Sequence, residues 1–183
     1  PFLYVKLKAF MMLIHQPIFL TGFMGAGKTT VGQHLATRLG CPFADLDALI
    51  EERIGKSINM IFAEEGETYF RKQESAILTS ITASHIGVYA TGGGIVMSKK
   101  NREIMQSAGY VVYLRSRWAT LQERLMGSTQ RPLLNTKDGL SNAHNLLLRR
   151  TPYYEEAELI VDTDGKTADA VVNEIVNLLG VKE

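Results

Sequence analysis

The sequence has few of the features that mark secreted, membrane-bound or nucleic-acid-binding proteins. Its single cysteine, Cys41, excludes an intramolecular disulfide and fits a reducing compartment. Twenty basic and nineteen acidic residues leave a net charge of +1, so no overall field attracts nucleic acid or an anionic membrane. The longest unbroken apolar run, Ala9 to Ile14, is too short to span a bilayer. We therefore expect no nucleic-acid or membrane partner and a cytoplasmic location.

No internal repeat, low-complexity tract or linker rich in proline or serine divides the 183 residues. A chain of this length fits one compact domain with its own core, so we predict a single domain over residues 1–183. Residues 1–16 are interpreted as an N-terminal extension, because the first strand needs residues only from about Pro17. An apolar stretch there is similar to a signal peptide, but no small-residue cleavage site follows it. We expect translation to begin naturally at Met11 or Met12.

A glycine-rich stretch that ends in a lysine and a threonine is the strongest chemical signal. Residues 22–29, Gly-Phe-Met-Gly-Ala-Gly-Lys-Thr, fit the phosphate-binding pattern G-x-x-x-x-G-K-[S/T]. The glycines let backbone N–H groups surround an anion, because no Cβ obstructs the approach. Lys28 can then place its charge on the outer phosphates, and the Thr29 hydroxyl can ligate Mg²⁺. A glycine-rich turn with an incidental lysine is the alternative, but a strand before the motif and a helix after it favour the phosphate loop.

Five short apolar stretches alternate with segments of helical periodicity. This alternation predicts an α/β fold, a three-layer sandwich in which helices cover both faces of a five-stranded parallel sheet of the P-loop NTPase type. Residues 127–139 form a polar loop that is either an ordinary surface loop or a mobile lid, and Arg131 within it favours a lid over an anion. The predicted strands are 17–21, 43–47, 87–91, 110–114 and 159–161.

Two carboxylates lie at the C-terminal end of the second predicted strand. Ligands of doubly wound sheets bind outside the carboxyl ends of the strands, which places Asp45 and Asp47 beside the phosphate loop. We assign Asp45 to the water shell of Mg²⁺ and Asp47 to the acceptor hydroxyl as general base. Two solvated acids that cap the next helix are the alternative.

The arginines suggest what the acceptor is. Arg71 has Glu67 at i−4 and Glu74 at i+3, so it forms surface ion pairs or is held rigid by them for a substrate carboxylate. Each arginine by itself, including the Arg149–Arg150 doublet, is more often structural. Together they suggest a small acceptor with an anionic group and a hydroxyl. Gly92–Gly94 allow backbone N–H groups to approach it, although a tight turn explains these glycines almost as well.

In chain order, the motifs GFMGAGKTT, DLD, FRKQE, TGGG, RPLL and RRTPYYEE resemble those of the shikimate kinase family, from about residue 17 to residue 180. The resemblance implies transfer of the ATP γ-phosphoryl group to the 3-hydroxyl of shikimate, within aromatic amino-acid biosynthesis. It implies ATP, ADP and shikimate as ligands, Mg²⁺ as cofactor, and a helical substrate-binding segment at residues 48–82. We expect the enzyme to be a monomer.

The resemblance also implies a role for each matching residue. The implied catalytic residues are Asp47, Lys28 and Arg131. The residues implied to bind ATP are Gly25, Ala26, Gly27, Lys28, Thr29, Thr30, Arg124 and Arg131. Those implied to bind shikimate are Asp47, Arg71, Gly92, Gly93, Gly94 and Arg150. The implied metal-binding residues are Thr29 and, through water, Asp45.

Two other functions stay open at this point. A related P-loop kinase would act on gluconate or a nucleoside monophosphate, although a monophosphate needs more cationic groups at the acceptor site. A nucleotide-binding regulatory module would have no turnover. Such a module needs no carboxylate directed at an acceptor, so Asp47 favours an enzyme.

Overall fold

The computed structural model describes residues 14–83, 86–126 and 138–180. Within these ranges, five strands alternate with eight helices and one 3₁₀ turn. The strands are β1 (Ile18–Thr21), β2 (Phe43–Asp45), β3 (Val88–Ala90), β4 (Tyr110–Arg115) and β5 (Leu159–Asp162). The helices are α1 (Lys28–Leu39), α2 (Leu46–Ile54), α3 (Ile58–Glu64), α4 (Gly66–Thr82), α5 (Lys99–Ala108), α6 (Trp118–Met126), α7 (Gly139–Tyr154) and α8 (Ala168–Leu178), and the 3₁₀ turn is Ile95–Met97.

The strands form one sheet in the order β2-β3-β1-β4-β5, and every neighbouring pair is parallel. Strand β1 is central, and its Phe19 lies opposite Tyr89 on one side and Val111 on the other. All four residues of β1 are buried, which requires cover on both faces of the sheet. The predicted α/β fold with a five-stranded parallel sheet is therefore confirmed.

The strand order places the ends of β1 and β3 side by side. The chain leaves β1 with β3 on one side and β4 on the other, and such a reversal opens a crevice at the carboxyl ends of the strands. Thr91, just after β3, is tied to β1 because its backbone N–H and its hydroxyl both donate to the Leu20 carbonyl, at 3.1 and 2.9 Å. The loop after β1 and the glycines after β3 consequently share one edge of the sheet.

Several helix ends follow from single residues. Gly40 ends α1 in the left-handed region with φ of 63°, and its N–H donates to the Thr37 carbonyl. Ser57 begins α3 by accepting a hydrogen bond from the Met60 N–H. These ends fix the lengths of the helices that flank the crevice.

The second strand is shorter than predicted, and the placement of Asp47 on it was wrong. Strand β2 ends at Asp45, whose carboxylate accepts a hydrogen bond from the Asp47 N–H at 3.1 Å and so caps α2. A side-chain acceptor for a first-turn N–H favours the helix over a further extended residue. Asp47 therefore lies in the first turn of α2. Helix α7 also continues through Pro152, which lies in its last turn, so little of the helix is lost.

Some predictions fall on residues outside the described ranges. These are most of the N-terminal extension and nearly all of the lid, Arg131 included. The single domain and its three segments therefore stay predictions. In the part of the chain that the structure describes, no helix has the length and apolar character needed to cross a membrane.

Candidate active site

The phosphate loop is built from glycines that adopt left-handed conformations. Gly25 has φ of 84° and Gly27 has φ of 91°, values that side-chain-bearing residues rarely adopt. Gly27 is the N-cap of α1, and no side chain in the described ranges caps that helix. Its first N–H groups are therefore directed at the loop, where the positive end of the helix dipole favours an anion.

Lys28 lies across the same loop. Its Nζ donates to the Gly22 carbonyl at 2.8 Å and to the Phe23 carbonyl at 3.0 Å. These bonds hold the ammonium above the N–H groups that would receive a phosphate. The loop thus combines directed donors with a fixed positive charge.

A cleft of about 720 Å³ extends from this loop along the carboxyl edge of the sheet. Arg124 of α6 closes one side, where its guanidinium donates to the Gly25 carbonyl at 3.0 Å. Asp47 and Gly93 line the opposite side. The cleft brings together the predicted ATP-binding residues that the structure describes, which are Gly25, Ala26, Gly27, Lys28, Thr29, Thr30 and Arg124.

One wall of the cleft was not predicted. Thr163 and Lys166 line it from the segment that joins β5 to α8, and Ala168 and Val171 line it from the start of α8. No motif marks these residues. The signal that could have found them is positional, since they follow the carboxyl end of a strand in a parallel sheet, where ligands bind.

Thr29 and Asp45 form a pair of oxygen donors at the floor of the cleft. The Thr29 hydroxyl donates to the Asp45 carboxylate at 2.9 Å. No cluster of three or more histidine, cysteine or acidic residues suited to a metal exists within the described ranges. Mg²⁺ fits such a site, because it is held by few protein oxygens and keeps waters and phosphate oxygens as its other ligands.

Asp47 presents a carboxylate oxygen that lacks a partner. Its Oδ1 is shielded from solvent and has no hydrogen-bond partner in the described part of the chain. Burial raises the pKa of Asp47, and Asp45 raises it further, whereas Lys28 and Arg71 lower it. A buried acceptor oxygen without a donor is costly unless a ligand supplies one. Asp47 is therefore placed to accept a hydrogen bond from a ligand in the cleft.

Arg71 is held rigidly by two acids of its own helix, α4. Its Nη1 donates to both carboxylate oxygens of Glu74 at 3.0 and 2.9 Å, and its Nε donates to Glu67 at 3.3 Å. Glu74 is fully buried, whereas Glu67 is exposed. Burial alone would lower the pKa of Arg71, but the two acids outweigh it and raise the pKa. The guanidinium is thus a fixed cation.

The glycines after β3 leave room for these charged groups. A Cβ added at Gly92 would lie 2.9 Å from the carboxylates of both Asp47 and Glu74. A Cβ added at Gly94 would lie 2.3 Å from the Arg71 guanidinium. Gly94 has φ of −96°, which any residue adopts, so the close approach of Arg71 is what requires glycine there. These residues form the glycine turn, residues 92–94.

Arg150 reaches the same turn from α7. One of its guanidinium nitrogens lies 3.6 Å from the position of a Cβ at Gly93, whereas neighbouring Arg149 is exposed. The Arg150 Nε is buried without a partner among the described residues. Of the doublet, only Arg150 joins the predicted substrate-binding residues. Two cations, Arg71 and Arg150, therefore flank the glycine turn beside Asp47.

The fold and this site define a P-loop phosphotransferase with an acceptor site for a hydroxylated anion. The family model for shikimate kinase matches residues 24–180. A shikimate kinase of Chlorobium chlorochromatii is 46% identical over an alignment of 166 residues, and the match covers 86% of this chain and 87% of that protein. The chain belongs to the shikimate kinase family, and it is an ATP-dependent kinase.

Solved structures agree with this assignment. The shikimate kinase of Acinetobacter baumannii, in complex with shikimate, is 39% identical and superposes with a TM-score of 0.87, covering 94% of this chain and 96% of that one. A gluconokinase of Sinorhizobium meliloti is only 23% identical, with a TM-score of 0.62 over 90% of this chain and 91% of that one. At that identity the likeness extends to the fold alone.

Glu74 gives the site a predicted pH dependence of stability. Burial raises the pKa of Glu74 from 4.5 to about 7, although Arg71 opposes the shift. Between these values the folded chain keeps a proton that the unfolded chain has released. This contribution to stability is therefore complete below pH 4.5 and is lost as the pH rises through about 7.

We predict that Glu74→Gln removes this loss of folding stability, which is on the order of 3 kcal/mol between pH 4.5 and about 7. The measurement is the melting temperature of wild type and variant as a function of pH. As the pH rises, the melting temperature of the variant should increase relative to that of wild type. Glu67→Gln is the matched control, since it removes the exposed partner of the same arginine. Parallel curves for wild type and Glu74→Gln would contradict the predicted pKa.

Proposed function

We propose that the chain phosphorylates the 3-hydroxyl of shikimate from ATP, with Asp47 as the base and with Arg71 and Arg150 as the clamp for the substrate carboxylate. The observation that supports this most strongly is the unpartnered Asp47 oxygen, since Asp47 lines the cleft with the phosphate loop and borders the same glycine turn as the two arginines. A hydroxylated acid satisfies all of these groups at once. A hydroxyl donates to Asp47 while a carboxylate accepts from the guanidinium groups.

ATP binds on the donor side of the cleft. The N–H groups of residues 25–30 donate to its phosphate oxygens, and Lys28 turns its charge from the loop carbonyls to the outer phosphates. Arg124 covers the base from one side, and the wall that includes Thr163 and Lys166 covers the adenosine from the other. Thr29 would hold Mg²⁺ directly and Asp45 through water. The bound ion neutralises charge on the phosphate oxygens during transfer.

Shikimate binds on the acceptor side, at the glycine turn. Arg71 and Arg150 grip its carboxylate, and the N–H groups of residues 92–94 approach it because no side chain stands in the way. Asp47 then orients the 3-hydroxyl toward the γ-phosphoryl group and accepts its proton as the new oxygen–phosphorus bond forms. The bond between the γ-phosphorus and the oxygen that bridges it to the β-phosphate breaks, and ADP leaves.

Cationic side chains beside the transferring phosphoryl group complete the proposed site. Lys28 supplies it from the loop, and we propose that Arg131 supplies it from the lid, as arginines do in other phosphoryl transfers. Residue 131 lies outside the described ranges, so this role rests on the family resemblance. A cytoplasmic location and a monomeric state also stay predictions.

An acceptor panel tests the proposed function. ADP release by the purified chain is measured with ATP and Mg²⁺ in the presence of shikimate, gluconate or nucleoside monophosphates in turn. We expect release that depends on shikimate, with product mass showing one added phosphoryl group. Equal or faster turnover of gluconate or a nucleotide would reject the proposal, and ATP binding without acceptor-dependent release would indicate a regulatory module.

Replacement of the proposed base tests its role separately. We predict that Asp47→Asn lowers kcat by about 10²- to 10⁴-fold, because general-base catalysis contributes that much, while ATP binding is kept. A coupled assay of ADP release gives kcat, and titration with ATP gives the affinity for ATP. Glu52→Gln is the matched control, an exposed acid on the same helix. Near-normal kcat in Asp47→Asn would show that another group removes the proton.

A further inference from the structure

Tyr154 lies behind the glycine turn and does not belong to the predicted site. Its side chain is 1% exposed, and its hydroxyl donates to the Gly93 carbonyl at 2.5 Å. Its ring stacks on that of Tyr113 in β4, with centroids 5.1 Å apart and planes inclined by 16°. The ring and the hydroxyl are therefore both fixed, one by the sheet and the other by the turn.

Gly93 is the point where the two halves of the cleft meet. A Cβ there would lie 3.4 Å from the Gly22 carbonyl, 3.5 Å from the Tyr154 hydroxyl and 3.6 Å from an Arg150 nitrogen. Gly22 in turn accepts from Lys28. A shift of the Gly93 peptide would therefore change the direction of the neighbouring N–H groups and the contact with Arg150.

Tyr154 and Arg150 are four residues apart on α7, so they lie on one face of that helix. Burial raises the pKa of the Tyr154 hydroxyl far above its ordinary value, and Arg150 offsets only part of this rise. The hydroxyl consequently stays protonated and acts as a donor throughout the working pH range. Its bond joins the turn to the helix that carries the arginine.

We propose that Tyr154 is a positioning residue for the acceptor, because its hydroxyl fixes the Gly93 carbonyl and thereby sets the glycine turn relative to Arg150. This inference rests on the proposed function, since it concerns the acceptor of that reaction. A buried tyrosine needs a hydrogen-bond partner in any case, and a purely structural role would require nothing more. The two roles differ in which substrate responds when the bond is lost.

Tyr154→Phe separates these roles, because it removes the hydroxyl, with its bonds to the Gly93 carbonyl and to Arg150, and keeps the ring. We expect the KM for shikimate to rise about five-fold, the factor that corresponds to one neutral hydrogen bond. The KM for ATP should stay within about two-fold of wild type, since the phosphate loop keeps its own bonds. The measurement is steady-state kinetics with each substrate varied in turn, together with the melting temperature.

Two matched variants serve as controls. Tyr153→Phe removes the adjacent hydroxyl, on a ring that lies under the Arg102 guanidinium at 4.6 Å and away from the turn. Tyr113→Phe removes a hydroxyl from the same aromatic stack without removing the bond to Gly93. Neither should change the KM for shikimate. The same rise in Tyr113→Phe would assign the effect to the stack and overturn the proposal.

The remaining outcomes are also decisive. Unchanged KM values in Tyr154→Phe, or equal rises for both substrates, would overturn the proposal. The kinetics are measured well below the melting transition, so that unfolding does not affect them. Failure of Tyr154→Phe to fold even there would show that the hydroxyl is needed for folding, and this would overturn the proposal. Wild type without shikimate-dependent turnover would reject the proposed function itself, which distinguishes that failure from failure of the inference.

Discussion

The packing of charged side chains against the glycine turn is the constraint on which the acceptor site depends. Burying a carboxylate such as Glu74 is costly unless a cation and hydrogen bonds compensate it. Arg71 compensates it with two short bonds, and glycine at position 94 leaves the guanidinium enough space. The Arg71–Glu74 pair therefore adds little to the stability of the fold. Its main consequence is that the Arg71 guanidinium has one fixed orientation.

The sheet topology then brings this acceptor site to the donor loop. Because β1 and β3 are neighbours, the phosphate loop and the glycine turn end at the same edge, and Thr91 ties them together through the Leu20 carbonyl. Asp47 and the phosphate loop therefore line one cleft. The geometry favours direct in-line transfer between two ligands in one cleft.

The sequence predicts the donor half of the site well because its determinants are local. Lys28 and Thr29 follow the glycines at fixed spacing, and the apolar strand before them needs no tertiary information. The register of Asp47 is harder to predict, because a strand that ends at residue 45 or 47 leaves the same apolar pattern. Only the bond between the Asp45 carboxylate and the Asp47 N–H decides it.

Other features depend on distant parts of the chain and could not be predicted from local patterns. The partners of Arg71 lie on its own helix, yet the burial that separates Glu74 from Glu67 is set by the packing of other elements. The bond between Tyr154 and Gly93 joins residues 61 positions apart. Lys166 lines the cleft only because β5 is the edge strand next to β4.

The most direct test is a calorimetric measurement of shikimate binding to wild type and to Gly94→Ala. It asks whether the space left by glycine at position 94 is what positions Arg71 for the acceptor. A methyl group at position 94 must displace the Arg71 guanidinium, which is the flexible end of a side chain, while the backbone conformation stays accessible to alanine. We expect a loss of shikimate affinity of about tenfold or more with unchanged ATP affinity. Shikimate binding to Gly94→Ala at wild-type affinity would contradict it.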